Sequence, residues 1–256
     1  MKPMIFDSHA HYDSGQFDED REELLHSMQE NGIGTIINVG ADWDSVTEVV
    51  ELAGKYPFVY AAVGLHPDEV GDLDEERFAF VKEQCQQKKV VAVGEIGLDY
   101  YWDNASHEVQ KHWFIRQLEL ARELDLPVII HSREAAADTL EIMKEHAQGL
   151  RGVLHCFSYS KELAEEYIKM GFSIGIGGVV TFKNGKKLKE VVEAIPLEKI
   201  LLETDCPYLA PEPYRGKRNS SLYIPNIAQA VADIKGITYE EVVAQTEQNG
   251  KELFSI

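Results

Sequence analysis

The chain has 256 residues, 44% of them hydrophobic and 27% charged, which is enough for one large core or two small ones and does not suggest disorder. Its 44 Asp and Glu outweigh 25 Lys and Arg, for a formal charge of -19. A surface of that sign repels polyanions and argues against a protein that coats nucleic acid by counterion release, although phosphate can still be met locally at bound cations. Three scattered cysteines, Cys85, Cys156 and Cys206, make no C-x-x-C pair and argue against a disulfide framework. The start MKPMIFDSHAH reaches Asp7 before an apolar signal region can form. No apolar run approaches the ~18 residues of a membrane span. The expectation is a cytoplasmic protein with no membrane attachment and no obligate protein partner.

The first strand is predicted at 4–8, followed by helical spacing over 18–31. A strand at 34–39 precedes a helix at 45–54, opened by the capping-box pattern Ser45-x-x-Glu48. Strands at 58–64 and 90–96 flank a helix at 74–87. A helix over 106–124 carries Val109, Trp113, Leu120 and Leu124 on one stripe. Strands at 127–132, 152–157, 172–177 and 200–204 then alternate with helices at 134–147, 160–170 and 186–194. A Pro-rich loop at 207–219, a helix near 224–235 and a helix from Thr238, with the capping box Thr238-x-x-Glu241, follow. Eight strand–helix units without a linker predict one (β/α)₈ TIM barrel of α/β class over residues 1–256. The alternative, an open doubly wound sheet, usually brings a Gly-rich first turn. The nearest stretch, Gly175-Ile-Gly177-Gly178, has Val180 where the last Gly belongs. Asn184-Gly-Lys-Lys187 fails as a phosphate loop, with Val180 at the first Gly and Lys187 at the Ser/Thr position.

The histidines carry the functional signal. Five of nine, His9, His11, His66, His131 and His155, fall at or just past a predicted strand end. Such ends occupy roughly an eighth of a barrel this size, so about one would fall there by chance. His9 and His11, two apart in a strand, point to the same side and can reach one ion. Glu95 ends the fourth strand and Asp205 follows the eighth. Imidazole and carboxylate suit zinc, manganese or related divalent ions. Four histidines and two carboxylates exceed the needs of one tetrahedral ion and suit two ions that share a carboxylate. Without metal such a buried cluster would be costly.

The motifs Asp7-Ser-His-Ala-His11, Gly64-Leu-His-Pro67, Gly94-Glu-Ile-Gly-Leu-Asp99, His131-Ser-Arg133, His155-Cys-Phe-Ser158, Glu203-Thr-Asp-Cys-Pro207 and Arg215-Gly-Lys-Arg-Asn219 run in order along the chain. Together they resemble the TatD-type metal-dependent deoxyribonucleases, over residues 5 to about 235. The resemblance implies an amidohydrolase-type barrel, two divalent metal ions (zinc, magnesium or manganese) and hydrolysis of DNA phosphodiesters, often from the 3′ end. By position it implies that His9, His11 and Asp205 bind one ion, His131 and His155 the other, and that Glu95 bridges. One departure is Ser220-Ser221, where relatives usually carry an acidic residue and a proline. It bears on any salt bridge holding the 214–220 loop, but on no metal ligand.

The chemistry expected of these groups is attack by a metal-activated water. Asp205 can serve as both ligand and proton acceptor, and Glu95 is the second catalytic carboxylate. The substrate would be DNA ends or another phosphodiester. His66 is read as a phosphate contact or a support to the ligands, against a structural hydrogen bond. Arg133 can grip phosphate, or pair with a loop carboxylate. Tyr214-Arg-Gly-Lys-Arg218, a dense basic cluster, places Arg215 and Arg218 where barrel loops commonly bind phosphate. Tyr100-Tyr101-Trp102 can stack a base or simply pack its loop. Cys156 and Cys206 are expected to face the helices. Two competing readings remain: the same centre acting on an amide, lactone or acyl ester such as a misacylated tRNA, and a binding protein that kept the fold. Loss of ligands is expected of the latter, and none of the six is missing.

Overall fold

The computed structural model describes residues 3–102 and 104–256. Eight strands form one parallel sheet in sequence order. They are β1 (Ile5–Ala10), β2 (Ile33–Val39), β3 (Val59–Val63), β4 (Val90–Asp99), β5 (Val128–Arg133), β6 (Gly152–Leu154), β7 (Ser173–Ile176) and β8 (Ile200–Leu202). The bridge Ala10–Cys206 closes the sheet, together with hydrogen bonds from Asp205 N–H to His9 O (2.9 Å) and His11 N–H to Cys206 O (2.8 Å). The predicted (β/α)₈ barrel is therefore what forms. Between the strands lie α1 (Arg21–Ser27), α2 (Ser45–Lys55), α3 (Glu75–Gln84), α4 (His107–Leu124), α5 (Ala136–His146), α6 (Lys161–Lys169) and α7 (Lys186–Ala194). After β8 come α8 (Ile224–Lys235) and α9 (Tyr239–Phe254). Among the described residues, no helix is long and apolar enough to cross a membrane.

Two apolar layers hold the barrel. The larger packs the outward strand faces against the helices. The smaller draws Phe6, Ile37, Ala62, Ile129, Val153 and Leu201 from different strands and therefore fills the interior. Its lower end is plugged by Phe254 of α9, stacked on Phe6 at 5.9 Å. Gly250 permits that approach, since a Cβ there would sit 2.7 Å from the Phe6 ring.

Local signals behave unevenly. Thr238 and Glu241 form the expected capping box. Ser45 does not: it is the first residue of α2, its hydroxyl accepts from Ala41 and Asp42 N–H, and Asp42 Oδ1 accepts from Ser45 N–H. The strands predicted at 152–157 and 200–204 end early, at Leu154 and Leu202. Their remaining residues turn over the barrel mouth, with Cys156 and Asp205 at φ 45° and 55°. β4 instead runs on to Asp99.

Bulges in β1 and β4 matter most for the mouth. Asp7 and Ala10 pair with Ile36 and Asn38, and Val93 and Ile96 with Val128 and Ile130. Over those intervals β1 and β4 each carry one residue more than the partner strand, which reverses the alternation above the bulge. Phe6 fills the interior, yet His9 and His11 face it too.

Candidate metal centre

The two bulged strands bring His9, His11 and Glu95 together at the mouth. Glu95 is 3% exposed, and its two oxygens face different partners. Oε2 lies 3.3 Å from His9 Nε2 and 3.8 Å from His11 Nε2. Oε1 lies 2.7 Å from both His131 Nδ1 and His155 Nε2. Asp205 Oδ1 completes the first group, 3.4 Å from His11 Nε2 and 3.9 Å from His9 Nε2. Bonds of about 2.0–2.1 Å to a tetrahedral ion set ligand atoms about 3.3 Å apart, and these separations bracket that value. The six sequence-predicted ligands fall into overlapping ion-sized sets, His9–His11–Glu95, Glu95–His131–His155 and His9–His155–Asp205, and His131 also joins His66 and Asp99 in a fourth.

Neighbours fix the ring orientations. His11 Nδ1–H donates to Val39 O at 2.8 Å, which directs Nε2 at the cluster, where its neutral form would offer a lone pair to an ion. Asp99 Oδ2 lies 2.9 Å from His131 Nε2 and holds that ring from behind. The sequence reading gave Asp99 no role, although Glu95, Gly97 and Asp99 share one face of β4 by simple alternation. Gly97 has φ +148°, and a Cβ there would sit 1.9 Å from His131 O. Gly97→Ala should therefore force β4 and β5 apart beneath His131, at a cost of about 3 kcal/mol or more. Urea denaturation beside wild type measures this, and a change below about 1 kcal/mol would refute it.

Asp205 is positioned by a polar clamp between β1 and β8. Buried Asp7 accepts from the Thr204 N–H (3.1 Å) and hydroxyl (2.7 Å) and from the Ser221 hydroxyl (2.6 Å). Asn219 Nδ2 donates to Thr204 O and Tyr208 O. Ser221 thus has a definite task, and the 214–220 loop has its salt bridge as well: Arg218 grips Asp20 through its two terminal guanidinium nitrogens, at 2.8 and 2.5 Å.

The electrostatics suit a cation. Burial disfavours a charged Glu95, but the imidazoles of His155, His9 and His131 outweigh it and hold the carboxyl well below its usual range. Burial of Asp205 is likewise overcome, chiefly by His11. His11, despite burial, is raised to about 10 by Asp205 and Glu95, and His131 to about 9 by Asp99 and Glu95. The cluster draws protons to balance its carboxylates, and divalent ions would meet the same demand. Burial and His155 lower His9 to about 4, and burial and His131 lower His66 to about 3. Burial also raises Asp7 to about 6 and Glu203 to about 8.

The other predicted residues fall around this centre with different engagements. His66 Nε2 stands 3.8 Å from Glu95 Oε1, its ring against His131, while Nδ1 accepts from Asp68 N–H. The Arg133 guanidinium stacks 3.7 Å from the Tyr101 ring centre, and Arg215 lies 4.2 Å from that of Phe182. Tyr100 packs its loop, stacked on His107 and bonded to Asp138, whereas Tyr101 and Trp102 are each 51% exposed. Cys206 is buried, as expected of a packing residue. Cys156 differs from its prediction: the turn after β6 places it on a cavity beside Asp205. Burial and the nearby Asp205, Glu203 and Glu95 carboxylates raise its thiol well above the usual range, which disfavours a thiolate nucleophile.

A parallel barrel whose mouth gathers histidines and carboxylates into overlapping ion-sized groups defines a metal-dependent hydrolase. The TatD related DNase family matches residues 6–255, and the chain belongs to that family. A Bacillus subtilis relative, named an uncharacterized metal-dependent hydrolase, is 45% identical over 99% of this chain and all of its own length. A Pantoea vagans relative, named a 3′-5′ ssDNA/RNA exonuclease, is 32% identical over 98% of this chain and 100% of its own. The crystal structure of an Escherichia coli TatD homologue superposes with a TM-score of 0.92 at 32% identity, covering 100% of both chains.

Proposed function

We propose that this protein is a dinuclear-metal phosphodiesterase that removes nucleotides from DNA ends, in the 3′ to 5′ direction. The observation that carries the reading is Glu95, whose two oxygens each face a separate pair of imidazoles. His9, His11 and Asp205 would hold one divalent ion and His131 and His155 the other, with Glu95 common to both. When bound, the ions supply Lewis acidity and lower the pKa of water. Asp205, partly open to the mouth, accepts the proton as water attacks phosphorus. Arg133 and Arg215 orient the phosphodiester, and His66 contacts it from the third strand. The family match and the name of the Pantoea vagans relative support phosphate as the substrate chemistry. Three free thiols fit a reducing cytoplasm.

The test is turnover of a 3′-labelled single-stranded oligonucleotide after metal removal and reconstitution. A chromogenic phosphodiester and an acyl ester run in parallel. Restored nucleotide release that chelator abolishes is expected. Ester turnover with both phosphodiesters untouched would move the centre to acyl chemistry.

Arg215 and Arg218 should separate. Arg215 has no carboxylate partner among the described residues, and Arg215→Ala should raise KM for oligonucleotides about three- to tenfold. The salt dependence of binding should become shallower. Arg218 is held by Asp20, so Arg218→Ala and Asp20→Ala should shift KM in the same direction. A lower KM in Asp20→Ala would show instead that the freed Arg218 binds phosphate.

A further inference from the structure

Beside Asp205 lies a cavity of about 210 Å³, between the turns that follow β6, β7 and β8. Phe157, Val179, Leu188 and Leu209 give it apolar walls, and Gly177 and Gly178 line it without side chains. Gly178 is required for closure, since a Cβ there would sit 2.1 Å from Leu209 O. The volume falls below the roughly 300–1,000 Å³ of pockets for drug-sized ligands and suits one ring system. Polar residues break the apolar lining, among them Asn184, Lys187 and Glu203. Asn184 makes no side-chain hydrogen bond among the described residues, and Lys187 makes no ion pair. Glu203 is fully buried. Its Oε1 accepts from Cys156 N–H, and Oε2 is enclosed against Gly175 of β7, so Glu203 backs the cavity wall without offering a free group to it.

We propose that this cavity is a specificity subsite that receives one unpaired nucleobase, that of the nucleotide whose phosphodiester lies at Asp205. The inference rests on the phosphodiesterase reading and extends it to the base. A flat heteroaromatic ring matches walls that are apolar and edges that hydrogen-bond. The Asn184 amide offers one donor group and one acceptor to a base edge. Lys187 at the same cavity adds a cation for the neighbouring phosphate. A base still paired in a duplex cannot enter such a slot, so a frayed or single-stranded end is required.

The test compares a single-stranded oligonucleotide with one that is abasic at its 3′-terminal nucleotide. Wild type should favour the intact substrate by about tenfold or more in kcat/KM. Gly177→Leu adds bulk to the cavity lining without displacing the backbone, because the nearest atoms a Cβ at Gly177 would meet, all of Glu203, lie at 3.7–3.8 Å. It should bring the ratio of intact to abasic turnover close to one. Leu209→Ala, at an exposed wall residue, should lower the ratio from the other side while leaving metal content unchanged. A wild-type ratio near one, or a ratio unaltered in both variants, overturns the inference and leaves the phosphodiesterase reading standing. A protein that cleaves neither oligonucleotide after metal reconstitution overturns both.

Discussion

Glu95→Ala should lose both divalent ions, whereas His9→Ala should lose mainly one. The carboxylate lies between two sets of imidazoles, with Oε1 at 2.7 Å from His131 and His155 and Oε2 at 3.3 Å from His9. Its removal takes one donor from each group and also the negative charge that favours a cation there. Loss of a mere supporting partner commonly weakens metal binding 10- to 100-fold. Loss of the shared carboxylate should therefore weaken each ion by at least about 100-fold. Asp99→Ala is the graded comparison: it frees only the back of the His131 ring, so one ion should weaken by about 10- to 100-fold while the other is retained. Calorimetric titration with zinc or manganese, checked by elemental analysis after gel filtration, reads all three variants. If Glu95→Ala and His9→Ala each lose a single ion to the same extent, Glu95 does not bridge.

The barrel was legible because its strands are short β-branched runs at regular intervals and its helices repeat an apolar stripe. The histidines at strand ends were legible because so few should lie there by chance. The route by which His9, His11 and Glu95 reach the mouth was hidden. It depends on one extra residue in β1 and one in β4, and a bulge leaves no periodic mark. Strict alternation from Phe6 would have turned Ser8 inward in place of His9. Asp99 was overlooked because β4 was expected to stop at 96, although its alternation with Glu95 was there to be used. The Asp7–Thr204–Ser221 clamp joins residues about two hundred positions apart. Such a contact exists only once the barrel closes. Arg218 shows the opposite limit: a basic cluster after the eighth strand looks free in sequence, yet folding brings Asp20 to it.

Asp205→Asn should retain at least the ion held by His131 and His155, while turnover falls by about 10²- to 10⁴-fold, the range for loss of a general base. Asp205 stands at the edge of both functions. Its Oδ1 faces His11 and His9, its side chain is 17% exposed, and it lines the cavity beside the centre. Asparagine keeps the shape and an oxygen donor but cannot take a proton from water. The turn that presents it, with φ 55° at Asp205, is secured by its own N–H to His9 O and by Asn219 on Thr204 O. The substitution should therefore leave the fold intact, since asparagine also tolerates that backbone region. Two measurements separate the roles. Metal titration reports whether the first ion is weakened, and kcat at saturating metal reports the proton step. Full recovery of kcat when metal is raised would mean that Asp205 acts only as a ligand, and the base would then have to be sought among the other groups at the mouth. A deficit that persists at full metal occupancy, with KM for the oligonucleotide nearly unchanged, is the result expected of a residue that moves the proton.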